Sequence, residues 1–343
     1  MAAAACHSGV PPSLAPRPMS IDPAGGPLGV DAQVTILGEQ FYARGVQSLS
    51  SNGGISVDEG FTATVGGVPL RQVVRVSENE LRAVLPAGLA AGAHDLVVTN
   101  PDGLSGTLAH AWLASDLAPS NLVATAAAPS QVSTGQSFTV AIQVQNTGGA
   151  AALNVSPSLP AVSGTGVATL SAGTPPPQDI PGGESRTFTW SALATQAGTV
   201  TVAAGAAGVD EVSQRTVSAS PGAAQVLIEQ RSALDAVAAA PSPAIVSVGQ
   251  SIAFTLVVTN TGTATAQAVS FPSPQTGPGL QLLSAPAPQD VPGAMTSRTF
   301  TWTFFAAQAG QAAPAVAYGS GTDENDGLPV PVPAASWPAA TVQ

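Results

Sequence analysis

The chain contains no lysine: all nine basic residues are arginine, against 20 acidic residues, and the net charge is −11. That absence excludes a phosphate-cradling G-x-x-x-x-G-K loop, a Schiff-base lysine and a polybasic membrane patch. The acidic balance also argues against nucleic acid as a partner, because polyanion binding rests on cationic side chains that displace counterions. Cysteine occurs once, as Cys6, so no internal disulfide can form. His7, His94 and His110 lie far apart, without the close Cys/His pairs of a structural zinc site. Neither G-x-S-x-G nor H-E-x-x-H occurs, and the chain reads as non-enzymatic. Aromatics are 4% of residues and charged residues 8%, so the cores must be thin and aliphatic. No apolar run approaches the ~20 residues of a membrane-spanning helix.

What is present is turns and alternation. The 36 glycines and 31 prolines fall between alternating segments rather than in blocks, as in a folded all-β chain. One stretch occurs twice, 114 residues apart: Val132-Ser133-Thr134-Gly135-Gln136-Ser137 running to Asn146-Thr147-Gly148, and Val246-Ser247-Val248-Gly249-Gln250-Ser251 running to Asn260-Thr261-Gly262. Between these ends Phe138, Val140, Ile142 and Val144 match Ile252, Phe254, Leu256 and Val258. An apolar residue at every second position marks a half-buried strand. The closing Asn-Thr-Gly reads as a turn. The copies also share Gln178-Asp179-Ile180-Pro181-Gly182 with Gln289-Asp290-Val291-Pro292-Gly293, and Ser185-Arg186-Thr187-Phe188-Thr189-Trp190 with Ser297-Arg298-Thr299-Phe300-Thr301-Trp302. Phe and Trp in that last strand fall on one face, which predicts core packing. The repeated Asp and Arg predict an ion pair, Asp179 with Arg186 and Asp290 with Arg298, tying turn to strand. Val226–Arg231 reads as either the last strand of the first copy or a stiff linker.

The region before the repeats carries its own ordered motifs. They are Ile21-Asp22-Pro23-Ala24-Gly25-Gly26-Pro27-Leu28-Gly29, Val34-Thr35-Ile36-Leu37-Gly38 with Phe41, Val65-Gly66-Gly67-Val68-Pro69, Val84-Leu85-Pro86-Ala87-Gly88, and Gly92 through Asn100-Pro101-Asp102-Gly103. This series resembles the IPT/TIG domain, an immunoglobulin-like module of many bacterial surface proteins. The two copies that follow are similar to CARDB-type repeats of surface proteins. The resemblance implies an all-β chain of three immunoglobulin-like β-sandwich domains in tandem: a flexible tail at 1–18, then 19–114, 116–220 and 232–343, the last with a Pro-rich C-terminal tail. Ala3-Ala4-Ala5-Cys6 resembles a lipobox, which makes Cys6 a lipidation candidate, although only five residues precede it, too few for a secretory signal.

Several residues stand out as contact candidates. Arg44–Gly60 reads as a long loop, with Asn52 near its middle and Tyr42 beside it. Trp337, among prolines in the segment Leu328–Pro338, reads as the most exposed aromatic. With Tyr42 and Tyr318 it would supply the platforms of a carbohydrate-binding module. Asp323, Glu324, Asn325 and Asp326 form the one acidic cluster; it reads as a solvated turn and only weakly as a calcium site, since its spacing is not that of an EF-hand loop. No other cofactor is expected. The leading expectation is a surface scaffold of stalk or adhesion type that contacts a protein or surface polysaccharide through loops and edge strands. It would be extracellular, touching the outer membrane only through a lipid anchor. The alternatives are a self-assembling subunit of a filament, sheath or coat, and the carbohydrate-binding module.

Overall fold

A computed structural model describes residues 14–47, 55–315 and 317–343. Cys6, the rest of the tail through residue 13, and Asn52 lie outside the described residues. The described chain folds into three β-sandwiches in series with no helix among its elements. In each, alternation turns one face of both sheets inward, so apolar residues of the two inner faces form one core.

The first sandwich stacks strands Arg17–Asp22, Ala32–Glu39, Glu80–Leu85 and Arg71–Ser77 on a sheet containing Ser105–Ser115, Gly92–Thr99 and Thr62–Val65. Its first strand takes in Arg17 and Pro18, which the sequence reading leaves in the tail. The core holds Ile36, Phe41, Val65, Leu81, Leu96 and Trp112. The two flanks of the expected long loop pair with each other, Arg44–Gln47 with Ile55–Asp58, and residues 48–54 between them lie outside the described residues.

In the second sandwich Ser137–Asn146 lies between Leu122–Ala127 and Ser185–Gln196. Facing them, Gly198–Asp210 pairs with Thr216–Glu229 along almost its whole length. Val226–Glu229 therefore belongs to the closing strand, which runs past residue 220. The third sandwich repeats the plan: Ser251–Asn260 lies between Leu234–Ala238 and Thr296–Ala306. Phe254, Phe300, Trp302 and Phe304 stand where the second has Val140, Phe188, Trp190 and Ala192, so its core is richer in rings.

Two expectations are corrected here. The Pro-rich segment is no tail but the closing strand: Pro329–Ala335 pairs antiparallel with Ala317–Asp323, and Ala340–Val342 continues along Gly310–Ala312. Pro329, Pro331 and Pro333 lie on an edge strand, where no partner requires their missing N–H, while Val330 and Val332 turn inward. Trp337 sits where that strand breaks, and the break folds its ring into the core at 5% exposure. It meets Trp302 edge-on at 5.2 Å and Phe254 at 6.0 Å, and its Nε1 donates to the Thr255 carbonyl at 2.8 Å. The prolines, read alone, suggest exposure; packing against the other sheet overrides them.

The expected Asp–Arg pairs do not form. Asp179 Oδ1 accepts the Asn154 N–H at 2.7 Å, and Asp290 Oδ1 accepts the Ala268 N–H at 2.8 Å. Asn154 and Ala268 have φ of 51° and 50° at bulges that leave these N–H groups outside the ladder, and the carboxylates satisfy them. Arg186 pairs with Glu184 instead, and Arg298 donates to the Ser297 carbonyl.

Candidate functional site

The repeated motifs converge on the two junctions between domains. Asn146 and Asn260, the first residues of the two Asn-Thr-Gly triplets, are fully buried. Asn260 Oδ1 accepts the N–H groups of Ala233 and Gly262 at 3.1 and 3.0 Å, while Nδ2 donates to the carbonyls of Ala264 and Val291 at 2.8 and 3.0 Å. Asn146 makes the same four bonds to Asn121, Gly148, Ala150 and Ile180. Ala233 and Asn121 are the last linker residues before each sandwich begins.

The rest of the triplet also grips the linker. The Thr261 N–H donates to the Ala233 carbonyl at 2.8 Å, as Thr147 does to Asn121. At Gly262 a Cβ would overlap the Arg231 carbonyl, and at Gly148 that of Pro119, so only glycine lets the linker backbone cross there. One residue earlier in the linker, the Gln230 carbonyl accepts from Thr263 and Ala264, and the Ala118 carbonyl from Gly149 and Ala150. What the sequence presents as a turn signal is thus a clamp on the interdomain linker.

A carboxylate closes each clamp. Asp323 is buried; its Oδ2 accepts from the N–H and Oγ of Ser232, both at 2.8 Å, and its Oδ1 from Ser133 Oγ of the preceding domain at 2.7 Å. Asp210 accepts the Ser120 N–H at 2.7 Å and the N–H groups of Val212 and Ser213. At the second junction Asn325 Nδ2 donates to Ser133 Oγ and Glu229, Gln136 donates to the Asn325 carbonyl, and Arg231 pairs with Asp326 at 3.0 Å. At the first, Arg215 pairs with Asp22, and the Ala24 N–H donates to the Ser213 carbonyl. A cleft of about 250 Å³ lies beside it, lined by Pro23, Gly25, Leu117, Pro119 and Val212.

The acidic cluster is therefore only in part a solvated turn: Asp323 is buried and Asn325 and Asp326 are half-buried against the preceding domain, while Glu324 is exposed. Nor do its oxygens form an open calcium cage: those of Asp323 face N–H and O–H donors, Glu324 accepts from Thr265, and Asp326 from Leu328 and Arg231. Burial raises the pKa of Asp323, but the hydrogen bonds from Ser232, Ser133 and Asn325 outweigh it, and the net shift is below the ordinary 3.8. Asp210 is lowered likewise, with burial opposed by bonds from Ser213 and Ser120. A carboxylate depressed in the folded state stabilises fully above its unfolded value and loses that contribution as pH falls through the folded one. Asp323→Asn is expected to flatten the acid-unfolding curve as pH falls below the ordinary carboxylate value of 3.8. Circular dichroism across an acid titration measures this; an unchanged slope would count against the clamp.

Of the aromatic candidates, Tyr42 and Tyr318 are exposed but stand in different domains, and Trp337 is core. His94 Nε2 bonds the Ala90 carbonyl, and His110 sits at a bulge with its N–H on Asp95. Among the described residues no group of three or more His, Cys, Asp or Glu is arranged to hold a metal.

Comparison with known families accords with this architecture. Residues 16–110 match the IPT/TIG domain and residues 114–216 match CARDB. The first two domains are thus similar to the IPT/TIG and CARDB families respectively. The third domain shares the motifs of the CARDB domain, including its clamp. No curated protein matches the chain. Among solved structures, the Escherichia coli adhesin FdeC is 15% identical, with 97% of this chain and 98% of that one covered at a TM-score of 0.35. A protein of unknown function from Porphyromonas gingivalis W83 is 12% identical over 63% of this chain and 99% of that one, with a TM-score of 0.24. Cadherin domains 3–6 of protocadherin gamma B2 are 11% identical over 95% of this chain and 73% of that one, with a TM-score of 0.29. Likeness at this level carries no conclusion about function.

Proposed function

We propose that this is a non-enzymatic, extracellular surface protein whose tandem sandwiches act as a spacer of set geometry, presenting an interaction surface to a protein or surface polysaccharide. The observation that carries this reading is the clamp. Both linkers are hydrogen-bonded into the following domain by the same residues, and each following domain also bonds the preceding one. A chain that needed freely swivelling domains would have no use for two buried Asn and two buried Asp at its joints. Anchoring through a lipidated Cys6 fits the same reading and would place the TIG domain nearest the envelope.

The spacer reading predicts one narrow distance between the outer domains. Spin labels at Val76 in the TIG domain and Met295 in the third domain, both exposed, would report it in a Cys6→Ser background. A single narrow distribution is expected, broadened in Gly262→Val, where the side chain pushes the linker off its clamp. A broad distribution in the parent chain would rule out a spacer of set geometry.

A further inference from the structure

The places where the chain enters and leaves a sandwich determine how that sandwich meets a pull. In the CARDB domain the linker enters beside Asn146, the last residue of the strand Ser137–Asn146. The closing strand leaves at Glu229 beside Ser133, just before Ser137–Asn146 begins. Entry and exit therefore lie at opposite ends of a strand of 10 residues, about 30 Å apart. A short parallel ladder fastens the exit, with Gln131, Val132 and Ser133 against Leu227, Ile228 and Glu229. The Leu227 N–H donates to the Ser130 carbonyl, and the Thr134 N–H to that of Glu229. Tension along the chain draws the first of these strands toward the entry and the second toward the exit. Parallel strands drawn in opposite directions must slide, so the evenly spaced bonds share the force instead of opening one by one. The TIG domain is fastened likewise, with Gly25, Gly26 and Pro27 against Leu113, Ala114 and Ser115.

In both cases the following domain holds the short strand. Asn325 Nδ2 donates to Ser133 Oγ at 3.1 Å and to Glu229 Oε2 at 3.0 Å, and Ser133 and Glu229 are the last register pair of the ladder. One side chain of the third domain thus bridges the two strands that tension would part. Ser133 Oγ also donates to Asp323, and the Asn325 carbonyl accepts from Gln136 at 3.1 Å. At the first joint the Ala24 N–H donates to the Ser213 carbonyl of the CARDB domain at 3.0 Å, while the Ala24 carbonyl accepts from Leu113 in the ladder. A Cβ on Gly25 would overlap the Val212 carbonyl, so the CARDB loop lies directly on the short strand. Fixing the angle between two domains requires bonds across their joint. It does not require those bonds to fall on the ladder that resists a pull, and both joints place them there.

We infer that the joints are tension latches: a folded following domain keeps the closing ladder of the preceding one from sliding, so the chain holds its length under a pull. The bonds from the third domain to Ser133 act beside the ladder, since both sets must break before Ser133 slides past Glu229. Forced unfolding is governed by the unfolding rate, so a few hydrogen bonds that break before the barrier set the lifetime of a domain under force. The inference rests on the spacer reading in one respect: a spacer between a surface and a partner is pulled whenever the partner moves.

Single-molecule stretching of the full chain at constant force tests it. A flexible insertion of about 20 Gly and Ser residues after Thr174, in the exposed loop before Gln178–Ile180, marks the CARDB step by lengthening it about 7 nm. Only the first step of each trace is counted, when all three sandwiches are still folded. Asn325→Ala is expected to raise the rate of marked steps about tenfold and to leave the rate of unmarked steps unchanged. The substitution lies in the third domain, yet both hydrogen bonds of its side chain go to the CARDB domain, so mere weakening of the third domain would speed the unmarked steps instead. Ser133→Ala is expected to speed the marked steps from the other side of the joint. The double variant should add less than the two apart, because they break one contact. Marked steps indifferent to both substitutions, or a change confined to unmarked steps, would overturn the inference. The spin-label distance is read without force, so a chain of set geometry whose marked steps ignore both substitutions would lose the latch and keep the spacer.

Discussion

Asn260→Ala is expected to destabilise the third domain by about 4 kcal/mol and to release its linker. The estimate follows from the four groups that the side chain serves. Removal leaves the N–H groups of Ala233 and Gly262 and the carbonyls of Ala264 and Val291 without their partner in a site closed to solvent. A buried polar group that loses its partner costs about 1–3 kcal/mol, and partial relaxation or an entering water offsets some of the sum. Asn260→Asp would do little better, because a carboxylate can accept from Ala233 and Gly262 but cannot donate to the two carbonyls. Asn146→Ala should act alike on the CARDB domain, with the two effects additive because the sites lie in separate cores. Chemical denaturation followed by tryptophan fluorescence measures the loss, since Trp302 and Trp337 report the third domain and Trp190 the second. Hydrogen exchange at Thr261, whose N–H holds the Ala233 carbonyl, should accelerate in Asn260→Ala. A loss below about 1 kcal/mol would mean that the linker is held elsewhere.

Trp337→Ala is expected to cost the third domain about 3–5 kcal/mol, the range for removing a large ring from a packed core. Its ring fills the space between Phe254 and Trp302, and its N–H is bonded to the Thr255 carbonyl. Phe254, Phe304, Trp302 and Phe271 are joined to it by a series of edge-on contacts, so the cavity would open at the centre of the aromatic cluster. The outcome separates two roles sharply. A surface platform for a sugar ring could be cut back with almost no loss of stability, whereas a core ring cannot. Trp337→Phe, which keeps most of the volume but not the N–H, should lose less than half as much. Thermal unfolding of the two variants beside the parent decides the matter.

The strands were legible in the sequence because alternation is a local property. A residue at every second position must face the same way, so Phe138, Val140, Ile142 and Val144 could be placed in a core without knowing what they pack against. The motif order of the TIG domain and the doubling of the later motifs were legible for the same reason. The acidic cluster and Trp337 were not. Asp323 sits in a stretch that by composition belongs in water, and its burial comes from Ser133, which lies 190 residues away in the chain. Trp337 lies among prolines that suggest an exposed extended segment, and its burial depends on a strand break that the neighbouring sheet accommodates. The repeated Asp and Arg misled in another way. Repetition marks a constraint without saying which partner imposes it, and here the partner of each Asp was the N–H of a bulge.

The sequence by itself thus determined the fold class, the number of sandwiches and the inward faces of their strands, because periodicity and composition act within a few residues or over the whole chain. The tertiary structure alone decided what the Asn-Thr-Gly triplets and the two buried carboxylates are for. Their hydrogen-bond partners belong to linkers and to a preceding domain, and a polar side chain is worth burying only where those distant donors and acceptors have already been brought together.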